Sequence, residues 1–131
     1  KYNKPLSIDT AAFDTYRNTF AEFGLGVKTG IDLPNEITGL KGTSTTSGLL
    51  LDFSIGQYDN YTPIQLSQYI NTIANNGTRM QPYLYKGLYG DESSYDQNKK
   101  ELNKVNTEQK YMDRVHEGFK AVLQYGTGAG P

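Results

Sequence analysis

The sequence predicts a helix-rich α+β fold of about three main helices with short strands, and three stretches carry that prediction. Phe13, Tyr16, Phe20 and Phe23 recur at intervals of three and four, as do Met112, Val115, Phe119 and Val122. Such spacing places apolar side chains on one face of a helix. The third stretch, Leu49 to Met80, contains a helix with its own start and stop signals.

Taken in order, Lys1 to Ser7 is polar, contains Pro5 and reads as an extended lead-in. Asp9 is the candidate N-cap of a helix from about Thr10 to Phe23, with Gly24 as its stop. Gly24 to Thr46 has no period and reads as a loop rich in Gly, Pro, Asp and Asn, anchored by Ile31, Leu33 and Ile37. Ser44 to Gly48 is a small-residue connector, and the apolar run Leu49–Phe53 leads into a Gly-containing turn at Ser54 to Gln57. Thr62, Pro63 and Gln65 then spell an N-cap, a first-position proline and a capping box. Leu66, Tyr69, Ile70 and Ile73 predict that one stripe of this helix faces a core, and Asn75-Asn76-Gly77 ends it. Arg79 to Leu88, with Tyr83 and Tyr85, alternates weakly and predicts a short strand. Gly90 to Lys104 reads as a solvated turn or hairpin tip. Thr107 caps the last helix and Gly126 ends it. Neither a repeat nor a low-complexity tract appears, and residues 1–131 read as one unit with no internal boundary.

Composition narrows the function classes. The chain has 131 residues with 36% apolar residues, and its 5 Phe and 11 Tyr supply bulky amphipathic packing for a core. Thirteen basic against fourteen acidic residues leave a net charge of -1, which gives no reason to expect a nucleic acid as partner. With no cysteine there is no disulfide, thiol nucleophile or zinc thiolate site. No apolar run approaches the ~18 residues of a membrane span. Lys1 in place of Met, and the closing Gly128-Ala129-Gly130-Pro131, lead to the expectation of an excised piece of a longer chain.

Few residues offer chemistry by spacing. Gly24 to Gly30, GLGVKTG, invites a phosphate-loop reading, but Val27 rather than Gly precedes Lys28, and Thr29 stands where a dinucleotide loop needs its third glycine. His116 lies off the Val115, Phe119 and Val122 stripe and reads as a surface histidine; Lys120 occupies the position where a second metal-binding histidine would stand. Asp32 and Glu36 read as turn and capping groups beside Pro34 rather than as paired catalytic carboxylates. Tyr58, Tyr61, Tyr83, Tyr85 and Tyr89 could stack on sugars, but most read as half-buried packing with a solvent-reaching hydroxyl. Asn60-Tyr61-Thr62 and Asn76-Gly77-Thr78 match a glycosylation pattern and double as helix cap and helix stop. Neither a metal site nor a cofactor is expected.

Three stretches taken together resemble the transpeptidase domain of class B penicillin-binding proteins. FGLGVKTGIDLPNE, Phe23 to Glu36, resembles that family's aromatic-Gly-x-Gly-x-x-Thr-Gly-x-Asp-Leu-Pro loop. SIGQYDNYTPIQLSQYINTIANNGTRMQP, Ser54 to Pro82, resembles its Gly-Gln, Thr-Pro-x-Gln-Leu and Ala-Asn-x-Gly signatures, in order. VHEGFKAVLQYGTGAG, Val115 to Gly130, resembles the helix and Gly-Thr turn that lead toward its third catalytic motif. The resemblance covers nearly the whole chain and leans toward a Gram-positive, streptococcus-like member.

The resemblance implies a partial, serine β-lactamase-like transpeptidase fold and a D,D-transpeptidase that cross-links peptidoglycan stem peptides through a serine acyl-enzyme. That chemistry needs Ser-x-x-Lys, Ser-x-Asn and Lys-Thr-Gly or Lys-Ser-Gly. No serine here has Lys three residues later or Asn two residues later. Lys28-Thr29-Gly30 spells the third motif, but its flanks match the earlier loop. The segment therefore falls between the second and third motifs, carries no catalytic residue, and is expected to be inactive alone. Gly56, Gln57 and Tyr58 match the family's turn near the rim of the active-site cleft and are the candidate cleft-wall residues. Implied partners are stem peptides and β-lactams, with cell-wall synthesis proteins as further candidates. The implied location is the extracytoplasmic face of the bacterial membrane, the parent being anchored by an N-terminal transmembrane helix not present here. The alternatives are a non-catalytic cell-wall or protein-interaction module using its tyrosines, and a β-lactam-sensing homologue.

Overall fold

The computed structural model describes residues 7–85, 90 and 99–130. Among these, four α-helices and two strands follow in the order α1 (Ala11–Glu22), α2 (Ser47–Ser54), α3 (Pro63–Ala74), β1 (Thr78–Met80), β2 (Glu101–Lys104) and α4 (Gln109–Gln124). The expected lead-in, the far end of the expected 79–88 strand, Tyr89 and most of the expected hairpin tip lie outside the described residues.

α1 starts where Asp9 accepts the Ala11 N–H at 2.9 Å. It stops at Gly24, whose φ of +96° is costly for any residue with a Cβ. Carbonyls at its end also take distant donors, Ala21 O in addition to the Gly24 N–H. Arg79 Nη1 donates to Ala21 O at 2.8 Å, and Asn103 Nδ2 donates to Glu22 O at 3.0 Å. These bonds tie α1 to the sheet.

α2 is a short helix in addition to the three main ones that the sequence predicts. Its eight residues absorb part of the small-residue connector and the whole apolar run. Thr46 stands at its N-cap without a side-chain cap bond. A short uncapped apolar run has no period by which to tell helix from strand. Its purpose is clear from Phe53, 0% exposed, which sits among Phe13, Tyr16, Phe20 and Tyr58 with ring centroids 5.2 to 6.0 Å away. Offset and edge-on arrangements of this kind are the favoured ones for aromatic rings.

α3 carries its predicted capping box: the Thr62 N–H donates to Gln65 Oε1 at 3.0 Å, and the Gln65 N–H donates to Thr62 Oγ1 at 3.4 Å. The buried face is only partly the predicted one: Ile73 is buried and Tyr69 half-buried. Leu66 and Ile70 are each 47% exposed, whereas Gln65, Gln68, Thr72 and Ile73 are buried. The reason is a demand for donors, since the neighbouring loop turns backbone carbonyls toward α3 and only the amide face can satisfy them. Asn76 and Gly77, both at positive φ, end the helix as expected.

β1 pairs antiparallel with β2 in the register Thr78↔Lys104, Arg79↔Asn103 and Met80↔Glu101, with an irregularity between Arg79 and Met80. The tail of the expected hairpin tip is thus a strand, while Gln81 to Tyr85 is not. α1 packs on α2, and β1 and α4 pack on α3. α4 begins after Glu108 rather than Thr107. Of its predicted stripe only Met112 is buried; Val115, Phe119 and Val122 remain 39 to 46% exposed. His116 is not a free surface residue: its Nε2 donates to Ile73 O at 2.8 Å and joins α4 to α3.

Candidate functional site

Three features make up the candidate site: the loop after α1, which is bound to α3, the turn after α2, and a charged knot joining α1 to residues 42 and 59. The loop is held from both sides. Three glutamine amides take its carbonyls: Gln65 Nε2 donates to Val27 O at 2.7 Å, Gln68 Nε2 to Thr29 O at 3.2 Å, and Gln81 Nε2 to Gly30 O at 2.6 Å. Gln68 Nε2 also reaches Met80 O at 2.8 Å, so one side chain joins the loop to the sheet. A Cβ on Gly24 would overlap the Gln68 amide, a second reason for glycine there.

Two carboxylates of the loop accept backbone N–H groups, Glu36 from the loop itself and Asp32 from residues 84 and 85. Glu36 accepts from the Thr29 N–H at 2.6 Å, the Thr29 hydroxyl at 2.5 Å and the Gly30 N–H at 3.1 Å. Burial pushes the Glu36 carboxyl up, but these donors and Lys28 outweigh it, and its pKa lies below the usual value. Asp32 accepts from the N–H groups of Leu84 and Tyr85 at 2.7 and 2.8 Å; Tyr85, then Leu84, holds its pKa low. Both carboxylates therefore close turns, as the sequence predicts. Of the GLGVKTG amides, those of Thr29 and Gly30 are given to Glu36. Lys28-Thr29-Gly30 lies in this loop and not on a strand, with Thr29 0% exposed.

The candidate cleft residues form the turn after α2. The Gly56 N–H donates to Phe53 O at 3.0 Å, and Gly56 has φ +83°. The Gln57 N–H donates to Asp52 O at 2.9 Å, and its side chain lies on the exposed surface. Tyr58 turns inward, half-buried against Phe13 and Phe53, and its hydroxyl donates to Ser44 O. The three are contiguous, but only Gly56 and Gln57 face solvent.

Behind this turn lies a cluster that the sequence analysis missed. Arg17 Nε and Nη2 donate to the two oxygens of Asp59 at 2.8 and 2.9 Å, and Nη2 also donates to Gly42 O at 2.9 Å. The Gly42 N–H returns a bond to Asp59 Oδ1 at 2.8 Å. The guanidinium lies over the rings of Phe13, Phe53 and Tyr58, 5.5 to 6.0 Å from their centroids. Burial pushes the Asp59 carboxyl up; Arg17 and the Gly42 N–H outweigh it and hold its pKa low. The Asp59 hydrogen bond in turn raises that of Arg17. Burial, with Asp59 nearby, pushes the Tyr61 hydroxyl up to about 12. A signal was present: Arg17 stands four residues after Phe13 and three before Phe20, inside the aromatic stripe. A charge there needs a buried partner.

Among the described residues no cluster of His, Asp and Glu could hold a metal ion, and no helix is long and apolar enough to cross a membrane.

Comparison with known proteins meets this geometry. Residues 7–131 match the model of the penicillin binding protein transpeptidase domain. The chain is 53% identical, over 99% of its length, to penicillin-binding protein 2A of Bacillus subtilis strain 168, and covers 19% of that protein. It is 40% identical, over 90% of its length, to penicillin-binding protein 2B of Streptococcus pneumoniae serotype 2 strain D39, covering 18% of it. The solved structure of penicillin-binding protein 2B from Streptococcus pneumoniae strain R6 superposes with a TM-score of 0.78 at 37% identity, covering 95% of this chain and 22% of that one. The chain thus spans about a fifth of the length of the relatives it matches. With the loop, the capped helix and the exposed turn all found in the expected order, the chain belongs to the penicillin-binding protein transpeptidase family, as part of its helix-rich α+β domain.

Proposed function

We propose that these residues form the helical flank of a peptidoglycan D,D-transpeptidase whose reacting serine lies outside them. In that reaction the serine takes the acyl group of the penultimate D-Ala of a stem peptide and releases the terminal D-Ala. The acyl group then passes to an amine on a neighbouring strand, and a β-lactam would acylate the same serine. Gly56 and Gln57 would wall the cleft, with Tyr58 packed behind them. The protein would work on the extracytoplasmic face of the membrane, anchored by a helix outside this chain, and cell-wall synthesis proteins are its candidate partners.

One observation supports this reading above the others. The FGLGVKTGIDLPNE loop and the TPIQL helix, which carry the resemblance, are bound to each other through Gln65 and Gln68 and form one scaffold. No serine within it has the Lys or Asn neighbours of an acylated nucleophile. The test is to label the longer protein with a fluorescent penicillin and map the modified peptide by mass spectrometry. The label is expected outside residues 7–130, and the isolated chain is expected to take none. A stable adduct on any serine of this sequence would overturn the proposal.

A further inference from the structure

We infer that Arg17 is a positioning residue for the 56–58 turn, acting through Asp59 and Tyr58; this rests on the reading of that turn as cleft wall. Arg17 touches neither Gly56 nor Gln57 in any bond described above. It fixes what stands on either side of them.

On the chain's far side of the turn, both guanidinium nitrogens that face Asp59 are used, and the Asp59 side chain is 3% exposed. Immediately beyond it, Asn60 and Leu40 exchange two backbone bonds, each of 2.9 Å. On the near side Phe53, the residue whose carbonyl closes the turn at Gly56, lies under the guanidinium. Tyr58 is held by three restraints: the ring contacts with Phe13 and Phe53, the Arg17 guanidinium and the bond to Ser44 O. Gly42 completes the fit, since a Cβ there would overlap the Tyr58 ring. One side chain of α1 thus gathers α2, the 42–44 loop and residues 58–59, leaving the exposed Gln57 between two fixed ends.

A bidentate guanidinium suits this task better than an ammonium, because its planar fork sets an angle as well as a distance. A lysine at position 17 would keep a charge beside Asp59, yet could not serve both of its oxygens and Gly42 O in one plane. Displacing a cleft wall by about 1 Å can cost on the order of 100-fold in rate.

The test uses the longer protein and a chromogenic or fluorescent β-lactam, with the apparent binding constant and the acylation rate constant measured separately. Arg17→Lys is expected to lower the acylation rate constant about 10-fold while the binding constant moves less than about two-fold. Tyr58→Phe keeps the ring, loses only the bond to Ser44 O, and is expected to lower it by a smaller factor in a fully folded protein. Asp14→Ala, at an exposed partner of Arg17, is expected to leave both constants unchanged. If Arg17→Lys and Tyr58→Phe both acylate at the parental rate and only melt earlier, Arg17 is a fold residue and the inference falls alone. If Gln57→Ala also acylates at the parental rate, the turn is not cleft wall, and the inference falls with that reading.

Discussion

The two halves of the molecule solve the problem of burial in opposite ways. In the α1–α2 corner, aromatic side chains close around Phe53 and an ion pair is folded in with them, both carboxylate oxygens of Asp59 being answered. In the α3–α4 half Ile73 and Met112 are buried, but most of the apolar stripe residues face outward. Leu66, Ile70, Val115, Phe119 and Val122 are 39 to 47% exposed, while glutamine amides occupy the inner face of α3. A cavity of about 330 Å³ opens between Ile70, Ile73, Ala74, His116, Phe119 and Lys120. The difference teaches that a strong helical stripe marks a surface needing a partner without saying where the partner is. The first corner finds it within the chain; among the described residues the second does not.

The largest effect expected from that contrast is on stability. Phe53→Ala removes a 0%-exposed ring around which four others pack, and should cost about 3–5 kcal/mol. Urea unfolding of the chain, followed by circular dichroism, would measure it. A loss below about 1 kcal/mol would mean that the corner is loosely packed and that the comparison fails at its stronger end.

An intermediate effect sits in the charged knot and is read against pH. The folded pKa of Asp59 lies below its unfolded value, so its ionised form binds Arg17 more strongly in the native state. The stabilisation is fully present above the unfolded value, about 3.9, and is lost as pH falls through the depressed folded value. Glu36 acts in the same direction through Thr29 and Gly30. Stability should therefore be flat in these groups from pH 7 to 5 and fall below about pH 4. Asp59→Asn should be less stable at pH 7 and show a shallower fall in acid. An unchanged acid slope in Asp59→Asn would show that the knot does not carry the ionised carboxylate.

What could be read from the residues alone follows the range of each interaction. The α3 capping box was legible because Thr62, Pro63 and Gln65 are neighbours. The ends of α1 and α3 were legible because Gly24 and Gly77 answer a local backbone requirement. The buried amide face of α3 was not, because the carbonyls that demand it belong to Val27 and Thr29, 38 and 39 residues away. α2 was missed for want of a period, and β2 because a four-residue strand exists only through its pairing with β1. Gly56 and Gln57 were reached through family resemblance, since a solvent-facing turn leaves no periodic trace. Arg17 could have been found as the charge that stands at helical spacing from both Phe13 and Phe20.

The smallest stability change, and the sharpest test of the comparison, is expected on the outward face. Phe119 is 44% exposed and Val122 46%. Replacing both with serine removes apolar surface that is already about half hydrated, so the unfolding free energy should fall by only about 1 kcal/mol per site. Association should change far more. A contiguous apolar face along two helices, left in water, drives self-association. Light scattering of the isolated chain should give a mass that rises with concentration, and Phe119→Ser with Val122→Ser should return it toward the monomer mass of 14.6 kDa. A parental chain that stays monomeric at every concentration would show that this face tolerates water, and the contrast between the two halves would reduce to side-chain chemistry without consequence for assembly.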